Sequence, residues 1–211
     1  DPADSNRVLI ITGEGGLLET RNAGESWRSV RWFGEVLRRL IVNPIIAGEM
    51  YILADTGRVW KTKDGGENWS DISGAISRPD QRQQTLPTLT IPSPDFLPSF
   101  GLGGGGTKTL LLDPILPQRL YAISRGELLR SDNGGENWSR VTVLGSPDGE
   151  TIASVAVNPS DATLFVAIGS RLLRSSDGGV RWNVSEFPNK AEPSRLVINP
   201  LKPEVIFAVG E

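Results

Sequence analysis

The stretch KTKDGGENWS, Lys61 to Ser70, decides the fold, because the chain writes it more than once. It returns as RSDNGGENWS at Arg130–Ser139, as RSSDGGVRWN at Arg174–Asn183 and as ETRNAGESWR at Glu19–Arg28. Aligned on Trp27, Trp69, Trp138 and Trp182, the copies stand 42, 69 and 44 residues apart. The long interval holds an extra segment of roughly 26 residues over a period of about 43. Asp1-Pro2, Asn43-Pro44, Asp113-Pro114, Asn158-Pro159 and Asn199-Pro200 keep the same phase. Each internal pair closes an apolar run (LIVNP, LLLDP, VAVNP, LVINP) and precedes a second one (MYILA, LYAIS, LFVAI, VIFAV).

Each unit therefore reads as four short strands rich in Val, Ile, Leu and aromatics, punctuated by Gly, Pro, Asn and Asp. No unit shows a 3.6-residue apolar period over three turns. Four strands in a period near 40–45 residues predict an all-β propeller of four-stranded antiparallel blades. The expected repeats are residues 1–30, 36–72, 107–141, 151–185 and 194–211, within one domain that carries an inserted loop at 77–106. That makes four to five blades. Strand two is represented five times, and strand one and the turn four times each. The arithmetic favours a larger ring, completed by further chain or by a partner, over four closed blades.

The repeated turn has a physical purpose. An Asp or Asn two residues past the third strand accepts hydrogen bonds from its own turn. The glycines allow positive φ. The tryptophan then swings back to pack between blades.

These residues resemble the Asp-box, or BNR, repeat, Ser/Thr-x-Asp-x-Gly-x-x-Trp. Thr62, Asp64, Gly66 and Trp69 match it, as do Ser175, Asp177, Gly179 and Trp182. The other two copies carry Asn22 with Trp27 and Asn133 with Trp138. Similar repeats occur in sialidases, xyloglucan-hydrolysing glycoside hydrolases, sortilin-type receptor propellers and photosystem II assembly factors. The fuller pattern around them looks most like the hydrolase and sortilin branches. The resemblance implies a propeller whose boxes are structural, and it leaves the activity open.

Composition narrows the function. Among 211 residues there is no Cys and no His, which removes disulfides, thiolate chemistry, a Ser-His-Asp triad and the commonest metal ligand. The net charge of −3 offers no basic excess for a nucleic-acid backbone or an acidic membrane. No apolar run approaches the ~20 residues of a membrane span. The sequence opens on Asp1 with no signal peptide and is read as a processed or trimmed product.

Two regions are candidate docking elements. The link VRWFGEVLRRL offers Trp32, Phe33 and Arg38, a mixture that suits a protein interface or sugar stacking. The proline-rich insertion offers Leu86, Phe96 and Phe100. Its GGGGTKT tail lacks the Gly before Lys and the following helix that a phosphate loop requires. Glycoside hydrolysis would need two carboxyl groups flanking the bond. Glu35, Asp55, Asp80, Asp95 and Asp148 are available, and no spacing singles out a pair. Tyr51 and Tyr121 share the strand-two position with Phe165 and Phe207, which marks them as core rather than nucleophile.

The expectation is a non-enzymatic binding or scaffolding propeller without cofactor or metal. It would be an extracytoplasmic accessory subunit that docks on a protein complex. The alternative is a polysaccharide-acting glycoside hydrolase or a carbohydrate-binding propeller.

Overall fold

The computed structural model describes residues 1–2, 4–77, 79, 106–143 and 151–210. The chain is a β-propeller arc of antiparallel sheets. The first sheet holds β1 (Val8–Ile11), β2 (Gly16–Thr20) and β3 (Arg28–Trp32). The second holds β4 (Leu37–Val42), β5 (Met50–Ala54), β6 (Val59–Thr62) and β7 (Ser70–Asp71). The third holds β8 (Thr107–Leu112), β9 (Leu120–Ser124), β10 (Glu127–Ser131) and β11 (Ser139–Arg140). The fourth holds β12 (Ser154–Val157), β13 (Leu164–Ile168), β14 (Arg171–Ser175) and β15 (Asn183–Glu186). The last pairs β16 (Arg195–Asn199) with β17 (Lys202–Val209).

Every residue of β5, β9 and β13 is buried, because each strand packs on both of its faces. In β5 the two-residue side-chain alternation sends Met50, Ile52 and Ala54 toward the first sheet, where they meet Leu17 and Trp69. Tyr51 and Leu53 point the other way, onto Leu110, Leu120 and Trp138 of the third sheet. Tyr121, Ile123 and Leu128 of the third sheet likewise meet Leu164, Val166 and Leu173 of the fourth. A lone sheet of this sequence would leave half of these side chains in water, so stacking is what makes it fold.

A short helix, α1 (Ser73–Ser77), interrupts the strands after β7 and sets Ile76 into the core between the second and third sheets. It spans too few residues to show a helical period in the sequence. Among the described residues no helix is long and apolar enough to cross a membrane, and no cluster of acidic side chains could hold a metal ion.

The four repeated turns share one hydrogen-bond scheme. Thr62 Oγ1 donates to Asp64 Oδ1 at 2.7 Å and accepts from Gly66 N at 3.1 Å, while Asn68 N donates to Asp64 Oδ1 at 2.9 Å. In the third sheet Ser131 Oγ donates to Asn133 Oδ1 at 2.9 Å, and Asn137 N donates to the same oxygen at 2.9 Å. The scheme needs one acceptor oxygen, which is why Asn22 and Asn133 stand in for Asp. The glycine pairs have positive φ, 73° and 102° at Gly65 and Gly66. The first turn puts Ala23 into this region at φ 54°.

The tryptophans divide. Trp69 and Trp138 are buried and donate their Nε1–H to Gly66 O and Gly135 O. Trp182 is half-buried and donates to Thr142 O at 3.1 Å, in the chain that leaves the third sheet. Trp27 departs from the expected packing between blades and is 44 % exposed. The reason is directional: each turn packs on the sheet before it, and no sheet precedes the first among the described residues.

Candidate functional site

The turns lie along one side of the arc. The other side is built by the blade-to-blade links and by the loops between second and third strands. The two kinds of loop meet closely there. Gly15 lies against Glu35, and Gly57 lies against Gly106 and Thr107, where an added Cβ would collide with backbone. Thr107 N donates to Gly57 O at 3.3 Å.

Between these loops stands a cluster of aromatics and arginines. Phe33 meets Trp60 and Trp69 edge-on, with centroids 5.4 Å away in both cases. The Arg31 guanidinium lies over Phe33 at 5.2 Å and over Trp60 at 5.5 Å, and that of Arg58 over Trp60 at 4.6 Å. Glu35 accepts from Trp60 Nε1 at 2.9 Å and from the Thr56 hydroxyl, with the Arg58 guanidinium 3.4 Å away. Arg58 also donates to Asp71 at 2.7 Å. Burial pushes the Asp71 carboxyl up, but hydrogen bonds from Ser73 and Arg58 outweigh it and hold the group below the usual carboxylate range. Arg38 pairs with Asp55.

Trp32, next to Arg31 on β3, is 57 % exposed. Its cross-strand partner is Gly16, and its ring tip lies about where a side chain there would project. The missing side chain leaves room for the tip of the indole beside β2. Phe33 is different. It is half-buried and packs into the core between the first two sheets.

Of the sequence-derived candidates, Trp32, Phe33 and Arg38 lie on the stretch that leads from β3 into β4, with Trp32 beside Gly16, Phe33 on Trp60 and Trp69, and Arg38 on Asp55, while Asn22, Trp27, Asp64, Trp69, Asn133, Trp138, Asp177 and Trp182 belong to the repeated turns. Leu86, Phe96 and Phe100 lie outside the described residues, as do Asp80, Asp95 and Asp148. Trp60 and Arg58 went unnoticed in the sequence. The signal for Trp60 was available, since Leu18, Leu129 and Leu173 hold its position in the sister sheets.

At the open first turn, Trp27, Arg21, Arg28 and Glu19 line a cleft of about 230 Å³. Glu19 is buried and is bonded by Arg7, Arg21 and Arg28. Burial raises its carboxyl and the three guanidinium groups more than reverse this, holding it below the ordinary value.

No known family model matches the chain. Vacuolar protein sorting/targeting protein 10 of Paracoccidioides brasiliensis (strain Pb03) is 30 % identical over 87 residues, covering 41 % of this chain and 6 % of that protein. Photosystem II assembly lipoprotein Ycf48 of Synechococcus sp. (strain CC9902) is 25 % identical over 135 residues, 64 % of this chain and 33 % of that protein. The chain thus spans a third or less of these curated relatives. Among solved structures, the GH74 enzyme of Niastella koreensis aligns with a TM-score of 0.67 at 16 % identity, over 100 % of this chain and 34 % of that one. Ycf48 bound to D1 peptide aligns with a TM-score of 0.54 at 17 % identity, over 93 % of this chain and 57 % of that one. These likenesses show a shared propeller fold.

Proposed function

We propose that this chain is a non-enzymatic docking propeller, an extracytoplasmic accessory subunit that receives a peptide segment of a protein complex on the link face around Trp32. The observation that carries this reading is the exposed Trp32 indole, its ring tip beside Gly16, on the link that also carries Arg31 and Arg38. An aromatic platform beside arginines is the composition of interface hot spots. Glu35, Asp55 and Asp71 are each occupied by arginine, tryptophan or hydroxyl donors, which favours binding over hydrolysis at this face. The likeness to Ycf48, a photosystem II assembly lipoprotein whose structure holds a D1 peptide, supports the partner class. In this reading the four turns are structural boxes of the Asp-box type, and the domain is one propeller with blades near the expected repeats. The insertion 77–106, with Leu86, Phe96 and Phe100, is the second docking element of this proposal, and its described end, Gly106, lies beside Gly57 on the link side.

A second reading has one observation in its favour: an open indole platform also suits a sugar ring, and GH74 enzymes share the fold. Isothermal titration with the D1 peptide and, separately, with a xyloglucan oligosaccharide distinguishes the two. The docking reading expects heat with the peptide, lost in Trp32→Ala, and no reducing ends released from xyloglucan. Binding of the oligosaccharide alone, or xyloglucan cleavage that disappears in Glu35→Gln, transfers the assignment to the carbohydrate reading. A chain that binds neither refutes the Trp32 face as a docking site.

A further inference from the structure

Each of the first three sheets reaches into the turn of the next with the same bond. The carbonyl of the first glycine in a turn accepts a hydrogen bond from a cation of the preceding sheet. Arg7 donates to Gly65 O, Lys61 Nζ to Gly134 O at 2.6 Å, and Arg130 Nη1 to Gly178 O at 2.9 Å. The same turn position donates its own N–H to the segment that leads into β1, β5 or β9 of its own sheet. Ala23 N reaches Asn6 O at 2.9 Å, Gly65 N reaches Gly48 O at 2.9 Å and Gly134 N reaches Gln118 O at 2.7 Å. The clasp also covers an aromatic ring. Tyr51 and Tyr121 lie directly across from Lys61 and Arg130, and both are fully buried.

Strand pairing places the fourth member of this row. Phe165 lies across from Arg174, as Tyr51 does from Lys61. Among the described residues the Arg174 side chain has no hydrogen-bond or ion-pair partner. It borders a cleft of about 550 Å³ with Phe165, Ile206, Pro203 and Glu204. By register with β5 and β9, Glu204 stands where Gly48 and Gln118 present their carbonyls. Beside the cleft, β17 pairs only with β16 among the described residues. Phe207 on β17 is 53 % exposed at the position that buries Tyr51.

We infer that the Arg174 cleft is a binding site for a β-strand that runs into a two-glycine turn. The occupant is a further strand–turn–strand hairpin of this repeat type. Its strand adds to the edge of β17, and its first glycine gives its carbonyl to Arg174 and its N–H to Glu204 O. This goes beyond the Trp32 docking face, which lies on the opposite side of the arc and is untouched by the test. The glycine requirement follows from the existing clasps. A Cβ on Gly134 would collide with Lys61 Nζ, and one on Gly178 would stand 3.0 Å from Arg119.

A synthetic peptide with the sequence of residues 126–140, GELLRSDNGGENWSR, supplies the probe. Added to the whole chain, it should bind saturably and bury Phe207, read by hydrogen exchange of β17. Arg174→Glu should weaken binding about tenfold or more, as expected for loss of a charge-assisted hydrogen bond. The peptide carrying Gly134→Ala should not bind. Arg174 is exposed, so an unchanged melting temperature of Arg174→Glu is the check on folding. Binding that ignores both substitutions, or no binding at all, overturns the inference. Concentration-dependent self-association of the chain alone, abolished by Arg174→Glu, would also overturn it by making the occupant the open first turn of a second copy.

Discussion

The first and second clasps use the same two positions with their charges exchanged. Val8 lies across from Thr20 as Met50 does from Thr62, so Arg7 holds the place of Glu49, and Glu19 that of Lys61. Arg7 and Glu19 meet at 2.6 Å, and Lys61 and Glu49 at 3.0 Å. In either arrangement a cation reaches the next turn's carbonyl and a buried carboxylate stands behind it. The interface therefore demands the pair and the direction of its donor, and it tolerates either strand as the cation's source. Arginine can serve from its place just ahead of β1 because its forked group bonds Glu19, Asp1 and Gly65 O together.

The largest effect should come from breaking the second pair. Lys61→Met strands Glu49 in the interior and should cost about 3–5 kcal/mol, as for other broken buried pairs. A urea midpoint within error of the parent would show that Glu49 finds another partner. Trp69→Ala should cost a similar amount, about 3–5 kcal/mol, by opening a core cavity, while the same change at exposed Trp27 should stay within about 0.5. Equal losses at the two tryptophans would disprove the account of why the first turn is uncovered. Exchanging the charges of the second sheet, Glu49→Arg with Lys61→Glu, should recover about 2 kcal/mol of the loss seen in Lys61→Met, because the first sheet already works that way. A double variant no better than the single would mean that the neighbourhood of each pair is specialised.

Smaller effects separate the pairs further. Glu19 has a folded value below its unfolded one of about 4.3. Its stabilisation is thus fully present above that pH and disappears as pH falls through the folded value. Glu19→Gln should flatten the acid limb of a stability–pH curve, and an acid limb unchanged in the variant would remove Glu19 as its source. Smallest, and of opposite sign, Ala23→Gly should stabilise by about 0.5–1 kcal/mol by relieving left-handed backbone, net of glycine's entropy. A lower melting temperature in this variant would contradict the strain.

The repeat was plain in the sequence because Trp, Gly-Gly and Asn/Asp-Pro recur in phase, and that was enough to predict four-stranded sheets. Residues whose role depends on register were not legible. The exchange at Arg7 and Glu19 appears only when β1 and β2 are paired. Trp32 could be read as core until a bulge between Leu17 and Leu18 set it against Gly16. Trp27 and Trp69 occupy equivalent places in equivalent motifs. What differs between them, among the described residues, is a preceding sheet to pack on, which no local pattern records.

The clasps all point one way, each sheet reaching forward into the next. Such an array behaves like a row of dominoes with unequal ends, since stability is passed between neighbours. Melting the first sheet withdraws the donor that holds the second sheet's turn. Melting the last pair of strands withdraws no donor from any turn. Among the described sheets, opening should therefore travel more readily from the first toward the fourth than in the reverse direction.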